Sequence, residues 1–316
     1  MKSRWLLAGL MLIALCGEPW TQNSSRSSAS QGAAPQTTDT SSNDVQIKQD
    51  PAESKLCNLS VSNQFTLERQ ASIGQTVAQQ IESNAKFVND PVITEYMNRI
   101  TQKLARNSTA KIPLTTRIID SDAVNALAVP DGSLFINSGL ILAADEEAEL
   151  AGALAHEIAH IAGCHGARAW SSMERGPAYP WLAEIPKTGG IDSAGGMYGI
   201  ARFSRAYEAQ ADYLGIEYMY RAGYDPSGLV RFFAKVNEMQ KAPWKLGTVA
   251  SAFVTHPQNA NRIDKSESQL RSMPDKPEFL VTNSEFELVK ARLLANRSRD
   301  NAKVTSAESP EQGSTK

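Results

Sequence analysis

The chain of 316 residues is long enough for one large domain or two ordinary ones. Its formal charge of -2 and the lack of any run of basic residues argue against a nucleic-acid partner. Only four histidines and three cysteines occur, so any metal-binding pattern must be built from a small set of side chains.

Residues 1–16 have the pattern of a signal peptide. Lys2 and Arg4 precede an apolar run that ends at Cys16. The run of twelve residues is too short for a hydrocarbon core that needs about 20 helical residues. Its last four residues resemble a lipobox, except that Leu15 precedes the cysteine. We therefore expect an exported protein that is either in the bacterial periplasm or anchored to a membrane of the envelope. Lipid anchorage at Cys16 and ordinary cleavage both stay open.

Composition divides the remaining chain into three parts. Residues 17–55 are rich in Ser, Thr, Gln and Asn, cannot bury enough apolar surface to fold, and are predicted to be a disordered linker. Residues 298–316 are similarly polar and are predicted to be a disordered tail. We expect one folded domain over residues 56–297.

Hydrophobic periodicity and turn signals predict a mostly helical α+β domain with one small sheet. The stretch over residues 166–203 contains many Gly and Pro residues and is predicted to be irregular. In chain order, the other predicted elements are helices over 67–87 and 91–104, strands over 114–119, 124–129 and 133–137, and helices over 145–161 and 205–222.

The sequence His156-Glu157-Ile158-Ala159-His160 lies within the predicted helix over 145–161. Four residues advance a helix by slightly more than one turn, so the two imidazoles emerge on one face and can bind one zinc ion. Glu157 lies beside that face, where it can accept a proton from a water molecule at the metal. This pattern predicts one catalytic zinc ion per chain, because two inert histidines would be costly in an otherwise apolar helix.

Catalytic zinc sites use three protein ligands, and Glu208 is the favoured third. It lies on the next predicted helix, and Asp212 follows on the same face, where it can orient a ligand histidine. Spacing alone leaves His165, His256 and Cys164 as rivals.

The cysteines give a weaker signal than the histidines. An oxidising compartment permits a bridge between Cys57 and Cys164. Two cysteines do not define a disulfide framework, so we expect Cys164 to be a buried thiol.

These motifs together resemble the HtpX and CAAX-prenyl-protease family of zinc metalloendopeptidases, which are gluzincins. The similar segments surround His156-Glu-Ile-Ala-His160, Arg205-Ala-Tyr-Glu208-Ala-Gln-Ala-Asp212 and Thr255-His256-Pro257, with Asn125-Ala-Leu-Ala before them and Arg262 after them. The resemblance implies a gluzincin-type protease domain in which Glu208 is the third ligand. The chain has no membrane-spanning stretch like those of the prenyl-protease branch, which argues against prenylated substrates.

The resemblance also implies a role for His256. A histidine in this loop can approach the zinc ion, where it either holds the enzyme shut or helps to bind the transition state. His165 lies about 140° around a continuous helix from His160, so we expect it to have a structural role at the helix end. Cys164 stays outside the predicted site.

A sheet edge at the active-site cleft would bind an extended substrate by adding it as a strand. We expect this edge strand to be Ser133–Asn137, with the substrate antiparallel to it and Ser133, Phe135 and Asn137 as its substrate-binding residues. Such binding reads backbone more than side chains and suits unfolded or misassembled exported proteins, as in protein quality control. Two other classes stay open: a zinc-binding chaperone or assembly factor with gated or weak proteolysis, and a deformylase, for which Cys57 lacks the expected motif.

Overall fold

Two helices at the start of the domain follow the predicted periodicity. The computed structural model describes residues 67–174, 204–241, 256 and 260–307. The first two helices are α1 (Leu67–Asn84) and α2 (Pro91–Arg106). Asp90 caps α2 by accepting hydrogen bonds from the amides of Val92 and Ile93, and Pro91 occupies the first helical position, where its missing N–H costs nothing.

A three-stranded mixed sheet follows these helices. Its strands are β1 (Thr115–Ile119), β2 (Ala126–Ala128) and β3 (Ser133–Asn137), in the order β1-β3-β2. β3 pairs in parallel with β1 and antiparallel with β2. Leu134 and Ile136 join the main core on one face, whereas Phe135 packs with Val77 and Ile81 of α1 on the other.

The prediction that Ser133–Asn137 is an edge strand is wrong. β3 is central, because β1 and β2 pair with its two sides and use its backbone groups. The strand that borders the cleft at an edge is β2, which is antiparallel to β3 through the pairs that join Ala126 to Ile136 and Ala128 to Leu134.

The central helix of the domain is buried over its whole length. This helix is α4 (Glu147–Ala162), and the short helix α3 (Ser138–Ala143) precedes it. Four more helices of the described chain are α5 (His165–Glu174), α6 (Arg205–Ala222), α7 (Ser227–Lys241) and α8 (Ala260–Ser272). Helices α6 and α7 lie against α4.

Glycines allow these helices to approach closely. A Cβ added at Gly215 of α6 would lie 3.3 Å from the backbone nitrogen of His156 in α4. A Cβ at Gly152 of α4 would lie 2.7 Å from the Cα of Leu229 in α7. Both contacts involve backbone atoms of the facing helix, so they set the distance between the helices that carry the polar cluster described below.

Two helices extend into stretches that the sequence predicts to be irregular or disordered. Helix α5 covers the start of the stretch over 166–203, and the rest of that stretch lies outside the described residues. The last helix, α9 (Ser284–Ala307), continues through ten residues of the predicted tail. The chain from Ser298 to Ala307 is polar but contains no Gly or Pro, so nothing in it stops the helix.

Several sequence predictions fall on residues that the structure does not describe. They include the signal peptide at 1–16, the linker at 17–55, Cys16 and Cys57. Within the described residues, no helix has both the length and the apolar character that crossing a bilayer requires. Cys164 is disulfide-bonded, which corrects the expectation of a free buried thiol.

Candidate metal centre

Helix α4 presents two imidazoles at the centre of the domain. His156 and His160 are 0% and 2% exposed, and their Nε2 atoms lie 3.1 Å apart. Such a short separation arises because the two residues are one helical turn apart. The ring of His156 is held edge-on against Phe233 of α7, with 5.5 Å between the ring centroids.

The first turn of α6 contributes a carboxylate to the same point. Ser204 caps α6 by accepting a hydrogen bond from the amide of Tyr207, and this places Glu208 one residue later, facing α4. Glu208 Oε1 lies 3.5 Å from His160 Nε2, and Oε2 lies 3.5 Å from His156 Nε2.

A third imidazole completes the cluster. His256 is fully buried, and its Nδ1 lies 3.3 Å from His156 Nε2 and 2.9 Å from Glu208 Oε1. One possible ligand atom from each of His156, His160, Glu208 and His256 lies within 4.8 Å of the other three. We refer to these four residues as the ligand cluster.

The ligand cluster has the dimensions of a zinc site. Ligands bonded to zinc at about 2.0–2.1 Å in a tetrahedron are about 3.3 Å from one another. The five contacts given above run from 2.9 to 3.5 Å, and bracket that value. Three imidazole nitrogens and one carboxylate oxygen are also the atom types that zinc prefers.

The charges around the ligand cluster favour a cation. Three buried carboxylates, those of Glu157, Glu208 and Asp212, lie at or beside the ligand cluster, and Arg262 has the one buried guanidinium among the described residues. That guanidinium contacts Asp212 and Glu208. Burial alone would lower the pKa of His156, but hydrogen bonds to Asp212 and Glu208 raise it to about 9. A bound metal would relieve this excess of negative charge and displace the proton from His156.

Asp212 and Arg262 contact two members of the ligand cluster, His156 and Glu208. The Asp212 Oδ1 atom lies 3.1 Å from His156 Nδ1, the nitrogen that faces away from the other ligands. Arg262 donates from Nε to Asp212 Oδ2 at 2.7 Å and contacts Glu208 Oε2 from Nη1 at 2.7 Å. Arg262 therefore joins the carboxylate ligand to the carboxylate that orients a histidine.

Glu157 lies beside the cluster and outside it. Its Oε2 accepts a hydrogen bond of 3.1 Å from the amide of Ala128 in β2. Its Oε1 is buried and has no hydrogen-bond partner among the described residues, and lies 3.4 Å from His256 Nε2. Burial raises the pKa of the Glu157 carboxyl above its usual value, against the opposing charges of His256 and His156. An unpartnered oxygen of raised basicity suits proton transfer with a water molecule.

The structure brings together every residue predicted for the metal site. His156, His160 and Glu208 converge, Asp212 lies behind His156, and His256 lies within the ligand cluster. The three residues predicted to lie on a substrate-binding edge strand, Ser133, Phe135 and Asn137, belong instead to the central strand β3.

Sequence reasoning missed three contributors to the site. From the sequence, Arg262 is only one of the residues that resemble the family, and no role is predicted for it. In the structure, Arg262 and His256, which is six residues before it, both contact Glu208. The Ala128 amide has no sequence signature, because every residue except proline supplies a backbone N–H. His165 lies at the helix end, as predicted, but the prediction does not include the contact of 3.0 Å between its Nδ1 and His160 Nδ1.

Comparison with known proteins agrees with this geometry. The model of peptidase family M48 matches residues 91–269, which include all four residues of the ligand cluster and also Glu157. Peptidases of this family use zinc, and the donor set described above fits that ion.

Two groups of relatives are similar to the chain. It is 27% identical to the beta-barrel assembly-enhancing protease of Yersinia pestis over 81% of this chain, and 26% identical to that of Escherichia coli over 78%. It is 27% identical to the mitochondrial metalloendopeptidase OMA1 of Schizosaccharomyces pombe over 56% of this chain. These matches cover 55%, 53% and 53% of the relatives, so the chain spans about half the length of the proteins that it matches.

Proposed function

Since the chain belongs to peptidase family M48, we propose that it is a zinc-dependent endopeptidase of exported proteins. The zinc ligands are His156, His160 and Glu208. Glu157 is the general base, and Asp212 orients His156. The observation that carries this proposal is the ligand cluster, whose spacings match a tetrahedral zinc site, with the unpartnered oxygen of a buried glutamate beside it.

The residues divide the chemistry of peptide-bond hydrolysis among them. When bound, zinc supplies Lewis-acid chemistry: it polarises the scissile carbonyl and lowers the pKa of water. Glu157 accepts the proton of the attacking water at Oε1 and delivers it to the amine of the leaving peptide. The Ala128 amide holds the other oxygen of Glu157 and thereby fixes the direction of Oε1.

The outer edge of β2 is the substrate-binding edge in this proposal. Backbone groups of Asn125 and Val129 pair with β3 through Asn137 and Ser133. Because successive residues of a strand point their backbone groups to opposite sides, those of Ala126 and Ala128 face outward, and the amide of Ala128 reaches Glu157. An extended peptide paired with this edge would lie along the ligand cluster.

Substrates read by their backbone must be unfolded or locally extended. The relatives named beta-barrel assembly-enhancing proteases are named for the assembly of β-barrel proteins. We therefore propose unfolded or misassembled envelope proteins as the substrate class, and the bacterial periplasm as the location. This proposal includes two N-terminal forms, lipid anchorage at Cys16 and ordinary cleavage of the signal peptide.

The test is digestion of unfolded casein by the full chain. Wild-type protein loaded with zinc should cleave casein, and both Glu157→Gln and a chelator should abolish cleavage. Glu157→Gln should keep its zinc, because Glu157 is not a ligand. Glu95→Gln, on the exposed face of α2, is the matched control and should cleave like wild type. Equal cleavage by wild type and Glu157→Gln would refute the proposal.

The position of His256 supports a second candidate function, a gated peptidase or assembly factor with weak proteolysis. His256 Nδ1 occupies the place in the ligand cluster that catalysis would leave for water. In this proposal His256 holds the site shut, and His256→Ala should cleave casein faster than wild type while binding zinc less tightly. A slower rate would favour a role of His256 in binding the transition state. An unchanged rate with unchanged zinc affinity would remove both roles.

A further inference from the structure

We infer that His165, itself held by Gln210, is a positioning residue that fixes which nitrogen of His160 faces the metal. This inference rests on the proposed function in one respect, the assignment of His160 as a zinc ligand. It goes beyond that function because neither His165 nor Gln210 is a ligand or a proton donor to substrate.

The chain brings His165 back over the end of α4. The helix ends at Ala162, and Cys164 adopts a left-handed conformation with φ of 51°, which turns the chain before α5 begins. Because of this turn, His165 does not continue around the helix as its sequence position implies. Its ring lies against Gly163, where an added Cβ would be 2.4 Å from His165 Nε2.

The ring of His165 is fixed on its remaining sides as well. It is fully buried, and it stacks on Tyr207 with a centroid distance of 4.7 Å and an angle of 11° between the planes. The guanidinium of Arg168 lies 4.6 Å from the centroid of the same tyrosine ring. A ring confined in this way presents its two nitrogens in fixed directions.

Those two nitrogens connect His160 to Gln210. His165 Nδ1 lies 3.0 Å from His160 Nδ1, and His165 Nε2 lies 3.0 Å from the amide oxygen of Gln210. The amide oxygen can only accept a hydrogen bond, so the proton of a neutral His165 lies on Nε2. Its Nδ1 is then an acceptor, and His160 donates to it from Nδ1.

The position of the proton on His160 decides which of its two nitrogens can bind the metal. A neutral imidazole that carries its proton on Nδ1 offers the lone pair of Nε2 to the metal, and Nε2 is the atom that faces His156 and Glu208. If Gln210 donated instead, each proton in the chain would move to the other nitrogen and Nε2 of His160 would be blocked. Gln210 and His165 thus do for His160 what Asp212 does for His156.

The experiment compares two substitutions of Gln210 that differ in hydrogen-bonding direction. Gln210→Glu keeps an acceptor, and Gln210→Leu removes it at similar size. His165→Phe keeps the stacking ring but removes both nitrogens. Gln269→Leu, which removes a hydrogen bond to the carbonyl oxygen of Tyr213 in α6, is the control for general loss of a glutamine contact.

Zinc affinity is measured by competition with a chelator. We expect His165→Phe to bind zinc about 10- to 100-fold more weakly than wild type, and Gln210→Leu about tenfold more weakly. The zinc affinities of Gln210→Glu and Gln269→Leu should stay within about threefold of wild type. Such a change is smaller than the loss expected when a residue that holds a metal ligand is removed. If Gln210→Leu bound zinc as tightly as Gln210→Glu, the inference would be overturned.

Ring tautomers provide a readout that a purely structural role would not move. Nitrogen-15 spectra of the zinc-loaded protein contain only four histidine rings. We expect the proton of His165 on Nε2 and that of His160 on Nδ1; the reverse arrangement would overturn the inference. His160→Ala separates the two levels of the argument. Wild-type zinc affinity in His160→Ala would refute the ligand assignment, whereas loss of zinc there with no effect of Gln210→Leu would refute this inference alone.

Discussion

Replacement of Arg262 by Met tests whether the site depends on a buried cation. Arg262 is 6% exposed, and the two carboxylates that it contacts, Asp212 and Glu208, are 5% and 3% exposed. Met retains most of the apolar stem that packs near Phe233, while the guanidinium above that ring is removed. The variant therefore leaves two buried carboxylates without their guanidinium partner.

The magnitude follows from the cost of an uncompensated buried charge. Removal of one member of a buried ion pair destabilises a protein by about 3–5 kcal/mol. In a domain of this size, each kcal/mol lowers the melting temperature by about 2–4 °C, so we expect a decrease of about 6–20 °C. The measurement is made on chelator-treated protein, because bound zinc would compensate part of the charge on Glu208.

The matched control lies on the same helix. Arg271 pairs with Glu267 across 3.6 Å, and the two side chains are 69% and 49% exposed. Arg271→Met should cost no more than about 1 kcal/mol, because exposed pairs are screened by water. Thermal and urea unfolding of both variants give the comparison. If Arg262→Met were no less stable than Arg271→Met, the view of Arg262 as the cation that balances this site would be wrong.

Three further predictions concern stability. Gly152→Ala places a Cβ 2.7 Å from the Cα of Leu229, so we expect a loss of about 1–3 kcal/mol in urea unfolding; a stabilised variant would contradict the packing described here. Burial alone would raise the pKa of Asp90, but hydrogen bonds from Asn296 and Arg292 hold it below its usual value. Its stabilisation is therefore present above about pH 4 and is lost as the pH falls through the folded-state pKa, and Asp90→Ala should cost about 1–2 kcal/mol at pH 7 and less at pH 2–3. Removal of zinc by a chelator should lower the melting temperature, since a metal at 1,000 times its Kd contributes about 4 kcal/mol; an unchanged melting temperature in demonstrably metal-free protein would refute this.

The metal ligands of α4 were predictable because helical geometry is local. Two histidines four residues apart must lie on one face of a helix, whatever the rest of the chain does. The pair Glu208 and Asp212 follows the same rule on α6. The structure places both pairs at one point, with Asp212 against His156.

The errors arose where the outcome depends on a single backbone conformation or on distant pairing. One left-handed residue, Cys164, ends the helix and redirects His165, and no residue type at that position announces the turn, because non-glycine residues seldom adopt positive φ. The order of strands was also beyond the local sequence. β2 lies between β1 and β3 in the sequence, but in the sheet β1 pairs directly with β3 in parallel. Ser133–Asn137 is therefore a central strand and not an edge strand.

The close approach at Gly215 has a consequence for how the site tolerates change. There, α6 meets the backbone of His156 in α4, since the atom nearest to a Cβ added at Gly215 is the backbone nitrogen of His156. The gap between the two helices is thus set by main-chain atoms, which have no rotamers to exchange. Mutations in the surrounding core can weaken the fold and still leave Glu208 at the same reach from the imidazoles, so loss of stability and loss of metal affinity should separate in a mutational survey.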